Sequence, residues 1–310
     1  MGLNSVVTQV VSRYNDIFTH ADPRMQNYLL MSSPFPVFGL CFIYVYFVLH
    51  LGPKFMADRK PYNLRIVLVV YNALQTIFSA VMFYEVSAFW IEHYGFFRCI
   101  RVDSTSETPT SLKEIRLCHI YFLSKISELL DTIFFVLKKK NSHVSLLHVF
   151  HHAVMPCAVW VGVKFHPGGN LAFFGIPNLF VHIWMYFYYM MAAMGPQYQK
   201  YIWWKRHITQ MQLVQFGMIM IYILVACIMC SQNRHLVTLT LVLDAAFVFL
   251  FLDFYRKAYR GKKGTKEMEI ERVTDSSQIR KMNTGTGEKV LEMRNQMDTN
   301  GKVLGMRKRF

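Results

Sequence analysis

Seven apolar stretches, each nearly or fully long enough to cross a lipid bilayer, constrain the fold of this chain more than any other feature. A helix needs about 20 residues to cross the hydrocarbon core, at a rise of about 1.5 Å per residue. The stretches cover residues 34–52, 64–84, 116–137, 144–163, 171–193, 208–230 and 236–254. They predict an all-α, polytopic membrane protein with seven transmembrane helices. The first ~30 residues have no apolar core, so we expect no cleavable signal peptide.

The composition agrees with this class, because 53% of the residues are hydrophobic and 17% are charged. This balance excludes a chain that is disordered throughout, and six cysteines in 310 residues are too few for a disulfide scaffold. Over half of the formal net charge of +15 lies in residues 256–310, which hold 15 Lys and Arg against 7 Asp and Glu. The remaining basic residues lie in short loops, which argues against a nucleic-acid-binding protein.

Basic residues concentrate in every second connection between the apolar stretches. The basic connections are 53–63, 138–143, 194–207 and the segment after the last stretch. The more neutral connections are 87–115, 164–170 and 231–235. By the positive-inside rule the basic side faces the cytosol and the N-terminus does not. The sequence therefore predicts a lumenal segment at 1–33, a seven-helix transmembrane domain at 34–260 and a basic, disordered cytosolic tail at 261–310.

The same topology places Cys99 and Cys230 on the lumenal side of the membrane, where thiols can oxidise. The other cysteines fall within the spans and are expected to be buried thiols: Cys41, Cys118, Cys157 and Cys227. We predict a disulfide between Cys99 and Cys230. Two unrelated free cysteines remain the alternative, because the sequence does not show whether their Cα atoms approach within roughly 4.4–6.8 Å.

Two of the spans carry unusual clusters of polar residues. The third span contains Lys125, Glu128, Asp131 and Thr132, although each charged group within a span costs on the order of 2.5–3.5 kcal/mol. A functional polar face or a self-neutralising Lys125–Glu128 pair would explain them. The fourth span contains His148, His151 and His152, which share one helical face at spacings i, i+3 and i+4. Three imidazoles on one face suit metal ligation, general acid–base catalysis or nucleophilic catalysis.

Two further spans carry polar stripes. The stripe of the fifth span consists of Asn178, His182, Met185, Tyr186 and Tyr189, and that of the sixth of Thr209, Gln212 and Gln215. Amides in membrane helices often connect neighbouring helices, which is the alternative for the two glutamines. Measured from the basic ends, the polar groups of the four spans lie about 6–16 Å deep. They predict a single catalytic layer in the cytosolic half of the membrane, with an apolar channel beyond it that suits a long alkyl chain.

These motifs resemble a known family. Lys125-x-x-Glu128-x-x-Asp131-Thr132, the sequence HVFHH at 148–152, the stripe that begins at Asn178 and the Thr209, Gln212, Gln215 spacing resemble the four signature boxes of the ELO family of very-long-chain fatty acid elongases. The boxes occur in the order of the family, within a resemblance that covers roughly residues 25–260. The sequence departs from the family at His143, Leu146 and Leu179, where Gln, Phe and Ser are common. These departures concern substrate preference.

The resemblance implies the condensing step of microsomal fatty acid elongation. In this step a long-chain acyl-CoA and malonyl-CoA give a 3-oxoacyl-CoA two carbons longer, with loss of CO2 and CoA. It also implies an endoplasmic reticulum membrane location with a cytosolic C-terminus, no cofactor, and the reductases and dehydratase of the elongation cycle as partners. A homo-oligomer stays open, as does the choice between an acyl-enzyme and direct condensation.

The family chemistry suggests roles for the polar residues. His151 is expected to attack the acyl thioester, while His148 and His152 orient it or exchange protons. Asn178 and His182 would stabilise an oxyanion or enolate, and Lys125 would neutralise a carboxylate with Glu128 and Asp131 fixing its charge state. The expected substrate-binding residues are Thr132, Tyr186, Tyr189, Thr209, Gln212 and Gln215. The candidates for CoA phosphates are Lys138, Lys139, Lys140, Lys205, Arg206, Arg256 and Lys257.

Three other interpretations of the sequence were weighed. His-x-x-His-His also resembles one box of membrane di-metal desaturases and hydroxylases, but those proteins use about eight histidines, whereas only His182 joins the three here. A seven-helix receptor or transporter has the right number of spans but does not explain the polar layer. A cysteine nucleophile is disfavoured, because Cys157 lies about 180° from His148 on the helix. We predict no metal ligands.

Overall fold

The chain is all-helical in the computed structural model, which describes residues 3–95, 99–100, 102–230 and 234–260. These residues form ten α-helices and no strand. The helices are α1 Leu3–Thr19, α2 Phe35–Tyr46, α3 Gly52–Met56, α4 Arg65–His93, α5 Pro109–Ser127, α6 Leu129–Leu137, α7 Leu146–Phe165, α8 Gly175–Ala193, α9 Lys205–Met229 and α10 Arg234–Tyr255. One π-helical turn, Phe47–Leu51, joins α2 to α3, and a second, Arg256–Arg260, follows α10. Short 3₁₀ turns cover Pro23–Asn27, Asn141–His143, Gly169–Phe174 and Pro196–Tyr201.

Six helical runs in the described residues are long and apolar enough to cross a membrane. They are Phe35–Met56, Arg65–His93, Leu146–Phe165, Gly169–Ala193, Lys205–Met229 and Leu236–Ala258. They correspond to six of the seven predicted spans. Large apolar side chains on their outer surfaces are exposed, as a lipid environment requires, among them Ile66, Phe42, Phe249 and Ile228. The prediction of an all-α, polytopic membrane protein is therefore confirmed.

The third predicted span differs from the prediction of one continuous helix, so the count of seven is not exact. Helix α5 ends at Ser127 and α6 begins at Leu129, with Glu128 between them. The hydroxyls of Ser124 and Ser127 donate to the backbone oxygens of Tyr121 and Ser124, each at 2.7 Å. Such bonds occupy carbonyls of the last turn of α5. Glu128 and Lys125 are also buried in polar contacts described below, which shortens the apolar length of this segment.

The basic connections lie together at one end of the bundle. Tyr62 N donates to Leu137 O at 3.1 Å, and Lys139 Nζ donates to Ala57 O at 3.0 Å. The Arg65 guanidinium donates to the backbone oxygen of Met194. These contacts join the connections 57–64, 138–145 and 194–204, which we call the basic end. Three of the four connections that the sequence predicted on one side therefore lie together.

The opposite end of the bundle is held by a disulfide and a polar network. Cys99 and Cys230, the pair suggested by the predicted topology, are joined, with their Cα atoms 5.4 Å apart. Ile100 N donates to Asn170 Oδ1 at 2.8 Å, which ties the same connection to the one before α8. Asp22 N donates to Lys164 O at 3.0 Å, so the segment after α1 also lies here. We call this the disulfide end.

Close helix packing fixes the basic half of the bundle. A Cβ atom added to Gly52 would lie 2.6 Å from Val136 Cγ1 and 2.9 Å from Phe47 O, so glycine allows α3 and α6 to approach. Nearby, Tyr44 and Val149 belong to one buried apolar cluster that joins α2 to α7. Helix α4 packs along α8, and α8 along α9. Contacts of α5 and α6 with α7, and of α8 with α9, place the third predicted span beside the fourth and the fifth beside the sixth. The hydrogen bond from Lys125 Nζ to Asn178 Oδ1 joins the third to the fifth.

The described contacts divide the chain into two units, 1–252 and 253–310. Residues 253–260 are the described part of the second unit, in which Lys257 Nζ donates to Asp253 Oδ2 at 2.7 Å. The predicted tail at 261–310 lies outside the described residues. The predicted N-terminal segment at 1–33 contains α1, a helix that the sequence analysis did not predict. One side of this helix packs its aromatic rings on the bundle: Phe18 lies 5.8 Å from Phe165.

Candidate active site

The histidine cluster lies in the first two turns of α7. Ser145 caps this helix, and its hydroxyl accepts a hydrogen bond from His148 N at 3.3 Å. The ring centroids of His148 and His152 are 4.2 Å apart, and those of His151 and His152 are 5.2 Å apart. The predicted three-imidazole face is thus present, and its members contact one another.

His148 is held by a hydrogen-bonded chain across three helices. Thr132 Oγ1 lies 2.9 Å from His148 Nε2 and 2.6 Å from the hydroxyl of Tyr44. Both Thr132 and Tyr44 are buried, so the chain fixes the orientation of the His148 ring. The sequence analysis placed Thr132 among the substrate-binding residues and did not identify Tyr44. In the structure, Thr132 contacts His148.

His151 has a different environment from its two neighbours. It lines a cavity, and its ring centroid lies 5.2 Å from that of Phe247 in α10. Within the described part of the chain, its imidazole has contacts with rings but no hydrogen bond. His148 and His152 do not line this cavity. His151 is therefore the imidazole of the cluster that a molecule in the cavity would meet.

A buried polar network connects α5 with α8. Lys125, which is 1% exposed, donates from Nζ to Glu128 Oε1 at 2.7 Å and to Asn178 Oδ1 at 2.8 Å. His182 Nδ1 lies 3.4 Å from Glu128 Oε1, and His182 Nε2 lies 3.3 Å from Asn178 Nδ2. The Lys125–Glu128 pair exists, but it is part of a network that includes Asn178. Because Asn178 also lines the cavity, the network reaches the same space as His151.

Tyr121 is a member of this network that the sequence analysis missed. Its hydroxyl donates to Asn178 Oδ1 at 2.9 Å, and its ring lines the cavity. Tyr121 lies one helical turn before Lys125, and the Lys125 ammonium is 4.8 Å from the centre of its ring. Its spacing of four residues from Lys125, which places both side chains on one helical face, is the sequence signal that could have identified it. Asn178 thus accepts hydrogen bonds from both Tyr121 and Lys125.

Asp131 lies in a second polar contact. The hydroxyl of Tyr186 donates to Asp131 Oδ2 at 2.9 Å, and both residues are buried. The hydrogen-bond acceptors of Lys125 are Glu128 and Asn178, so Asp131 is not one of them. Tyr189 packs its ring 6.2 Å from that of Tyr186. Tyr186 and Tyr189, both predicted to bind substrate, do not line the cavity.

The two glutamines of α9 have different surroundings. Gln212 Nε2 donates to Met185 Sδ at 3.7 Å, which supports the interpretation of this amide as a contact between helices. Gln215 is buried and lines the cavity, and its Oε1 atom has no hydrogen-bond partner. Thr209 is buried on the same helix. Of the predicted substrate-binding residues in the transmembrane helices, Gln215 is the one that lines the cavity.

The cavity has a volume of about 190 Å³ and runs beyond the polar layer toward the disulfide end. His151, Asn178 and Gln215 line one part of it, and Trp90 and His166 line another. Most of its wall is apolar and comes from α7, α9 and α10, including Met155, Val159, Ile219, Leu239 and Leu243. The apolar channel that the sequence predicts beyond the polar layer is present.

The predicted phosphate-binding residues of the first unit lie at the basic end. Lys138, Lys139 and Lys140 directly follow α6, and Lys205 and Arg206 are the first residues of α9. Burial and the nearby ammonium groups of Lys140 and Lys205 lower the pKa of His143. Phe135 separates His143 from His148, with ring centroids at 5.1 and 5.3 Å. Arg256 and Lys257 belong to the second unit and are exposed.

In the described part of the chain, no group of three or more His, Cys, Asp or Glu side chains is arranged to hold a metal ion. Cys157, the cysteine considered as a nucleophile, packs against the apolar cluster of Met25, Val37 and Trp160. This cluster does not include the histidines.

Comparison with known proteins identifies the family. The family model described as ELO, GNS1/SUR4 family, matches residues 29–267. The chain is 44% identical over 274 residues to very long chain fatty acid elongase 7 of Rattus norvegicus (87% of this chain, 97% of the relative). It is 45% identical to elongase 7 of Drosophila melanogaster (81% of this chain, 77% of the relative) and 41% identical to elongase 1 of Homo sapiens (82% and 92%). The match leaves no support for the desaturase, receptor and transporter interpretations, and this multi-pass membrane protein belongs to the ELO family.

Proposed function

We propose that this protein is a very-long-chain 3-oxoacyl-CoA synthase. It condenses a long-chain acyl-CoA with malonyl-CoA, releases CO2 and CoA, and forms a 3-oxoacyl-CoA two carbons longer. One observation carries the proposal: the His151 imidazole lies where the buried polar network meets a long apolar cavity. An acyl-transfer enzyme needs this combination, because its substrate has one reactive thioester and an otherwise apolar chain. The names of the relatives, very long chain fatty acid elongases, agree with it.

In the first half-reaction, His151 acts as the nucleophile. An imidazole nitrogen attacks the thioester carbonyl, the carbon–sulfur bond breaks, and CoA leaves as the thiol after taking up a proton. The acyl group is then held on the imidazole, with its alkyl chain in the apolar cavity. His152 contacts the His151 imidazole, and His148 contacts His152. These two histidines orient the cluster and exchange its protons.

In the second half-reaction, malonyl-CoA loses CO2 and its enolate carbon attacks the acyl carbonyl. The carbon–nitrogen bond breaks, and the leaving imidazole of His151 takes up a proton from solvent by way of the neighbouring histidines, which restores its free form. Asn178 lines the cavity together with His151, and an N–H of its side chain would stabilise the developing oxyanion. Lys125 and Tyr121 both donate to Asn178 Oδ1, so they fix which way the amide points. We therefore assign Lys125, Glu128 and Tyr121 as positioning residues.

The two ends of the bundle differ in charge, and this difference determines the orientation of the bound substrate. The acyl chain extends toward the disulfide end, along the apolar wall of the cavity. The CoA groups bind at the basic end, where Lys138, Lys139, Lys140, Lys205 and Arg206 supply positive charge for phosphates. By the positive-inside rule the basic end faces the cytosol, as does the C-terminus, and the disulfide end faces the lumen of the endoplasmic reticulum.

The reaction as written needs no cofactor, because no electrons are exchanged with a third molecule. Its 3-oxo product must be reduced, dehydrated and reduced again before another round, so reductases and a dehydratase in the same membrane are the expected partners. A homo-oligomer is compatible with the exposed apolar outer surface of the helices.

The test is incorporation of radiolabelled malonyl-CoA by the full-length protein in microsomes or purified in detergent. Saturated and unsaturated acyl-CoAs of increasing length serve as the second substrate. We expect labelled 3-oxoacyl-CoA whose length exceeds that of the substrate by two carbons. Folded protein that labels no acyl-CoA in this panel would contradict the proposal.

A further inference from the structure

Unpartnered polar atoms concentrate on the wall of the cavity. In the described residues, four buried side-chain atoms have no hydrogen-bond partner: Ser87 Oγ, Trp90 Nε1, Gln215 Oε1 and Asp244 Oδ2. Three of these four residues line the cavity. Folded proteins pair nearly all buried polar groups, so an unpaired group on the wall of a cavity points to a ligand that completes it.

Asp244 is the most unusual of these residues. It is 6% exposed, and it lies on the inner face of α10 among the apolar wall residues Leu239 and Leu243. Thr240, one turn earlier, also lines the cavity, but its hydroxyl already donates to the backbone oxygen of Leu236 at 2.8 Å. A carboxyl group is among the costliest side chains to bury without a partner. The unpaired oxygen of Asp244 therefore calls for a hydrogen-bond donor inside the cavity.

The position of Asp244 along the cavity follows from its helix. Phe247, three residues later, has its ring 5.2 Å from that of His151. Asp244 therefore lies about 4.5 Å beyond this level along α10, on the side of the disulfide end. The ring of Phe216, next to Gln215 in α9, stacks 5.8 Å from that of Phe247. Gln215 and Asp244 are therefore both cavity-lining residues within one helical turn of the Phe216–Phe247 contact, which itself adjoins His151.

Of the three unpaired atoms on the wall, Trp90 Nε1 is a donor in the other part of the cavity, and the two near His151 are oxygens that accept hydrogen bonds. The complement of these two oxygens is a donor. The surrounding wall is apolar, so the rest of the ligand must be apolar as well. A long-chain acyl group that carries one hydroxyl meets both requirements. Its O–H group would donate to Asp244 Oδ2, while its methylene groups pack against the leucines of α10.

We propose that this cavity selects hydroxylated acyl chains, with Asp244 as the residue that recognises a hydroxyl in the half of the chain next to the thioester. The inference rests on the proposed function, because it takes the cavity as the site of the acyl chain. A site that hydrogen-bonds a substrate hydroxyl discriminates strongly against an analogue that lacks it. The acyl-imidazole chemistry is unchanged, because the hydroxyl takes no part in bond formation or cleavage.

The test compares three substrates with the purified full-length protein: stearoyl-CoA and two hydroxystearoyl-CoAs, with the hydroxyl in the thioester half or in the methyl half. We expect kcat/KM of the wild type to be at least about fivefold higher for the thioester-half isomer than for the other two. Asp244→Leu should abolish this preference, whereas Asp244→Asn, which keeps an oxygen acceptor, should retain part of it. Thr240→Val is the matched control on the same wall and should change the preference less than about twofold, because its hydroxyl is already paired.

Each outcome decides one proposal. If the wild type elongates all three substrates with equal kcat/KM, recognition by Asp244 is refuted and the proposed function stands. If the wild type elongates none of these three substrates and no other acyl-CoA, the proposed function itself fails. If Asp244→Leu does not fold, the wild-type comparison of the two positional isomers and Asp244→Asn decide, and equal use of the isomers overturns the proposal.

Discussion

The charge pair between Lys125 and Glu128 gives the most quantitative prediction. Lys125 Nζ lies 2.7 Å from Glu128 Oε1, and the two residues are 1% and 3% exposed. Lys125→Met keeps the length and the apolar stem of the side chain but removes its ammonium group. Glu128 would then keep His182 Nδ1, at 3.4 Å, as its remaining close polar neighbour. The substitution therefore leaves a buried carboxylate without its cation.

Removing one member of a buried ion pair costs about 3–5 kcal/mol. A domain of about 150–250 residues, the size of the predicted transmembrane domain at 34–260, loses about 2–4 °C of Tm per kcal/mol, so we expect Lys125→Met to lower Tm by roughly 6–20 °C. Adding Glu128→Gln removes the stranded charge, so the double variant should regain most of this loss. Elongation should stay low in both variants, because Asn178 has lost a hydrogen bond that orients it.

Thermal unfolding of the purified protein in detergent measures stability, and labelled malonyl-CoA incorporation measures activity. Lys164→Met is the matched control, since Lys164 is also 1% exposed but its ammonium bonds the neutral Gln26 Oε1 at 3.0 Å. This control strands no carboxylate and lies outside the network, so its Tm should fall less. The reasoning would be refuted by a Tm of Lys125→Met within about 2 °C of the wild type. A double variant that is no more stable than Lys125→Met would also refute it.

Two further predictions concern the nucleophile and the disulfide. His151→Ala should abolish condensation, and intact mass spectrometry after incubation with acyl-CoA alone should show an acyl adduct in the wild type and in His50→Ala but not in His151→Ala. CoA release that strictly requires malonyl-CoA would argue against the acyl-enzyme. Alkylation without reductant should leave Cys99 and Cys230 unmodified, because they are joined. Cys227 should react, because it is free and exposed, so the expectation that it is buried was wrong. Peptide mapping that finds Cys99 and Cys230 both alkylated would contradict the disulfide.

The sequence predicts the overall course of the chain because hydrophobic length and loop charge are local properties. Both can be read without knowing which helices touch. The break at Glu128 was not predictable in this way, since it depends on contacts of buried polar side chains with other helices. The start of α5 did have a local signal: Thr108 caps the helix by accepting from Ser111 N, and Pro109 occupies its first position. A search for long apolar stretches misses this helix start, because the first turns of α5 are polar.

In the candidate site, too, contacts within one helix were predictable from the sequence and contacts between helices were not. Spacing along one helix predicted the histidine face and the neighbourhood of Lys125 and Glu128, because residues three and four apart are neighbours on a helix. Partners on other helices were not predictable, and they determine what each side chain does. Asn178 accepts from Lys125, and Tyr186 donates to Asp131. A shared depth in the membrane limits which residues can meet, but it does not specify the pairs.

The same reasoning explains how the structure separates three histidines that the sequence treats alike. At about 100° per residue, His151 and His152 lie on opposite sides of His148, roughly 60° and 40° away from it around the helix. Thr132 holds His148 from α6, whereas His151 lies against Phe247 of α10 and lines the cavity. The imidazoles of one helical face therefore have different surroundings, and His151 is the one that faces the substrate space. Thr132 does not line the cavity, so we predict that it acts on the reaction by holding His148 and not by binding substrate.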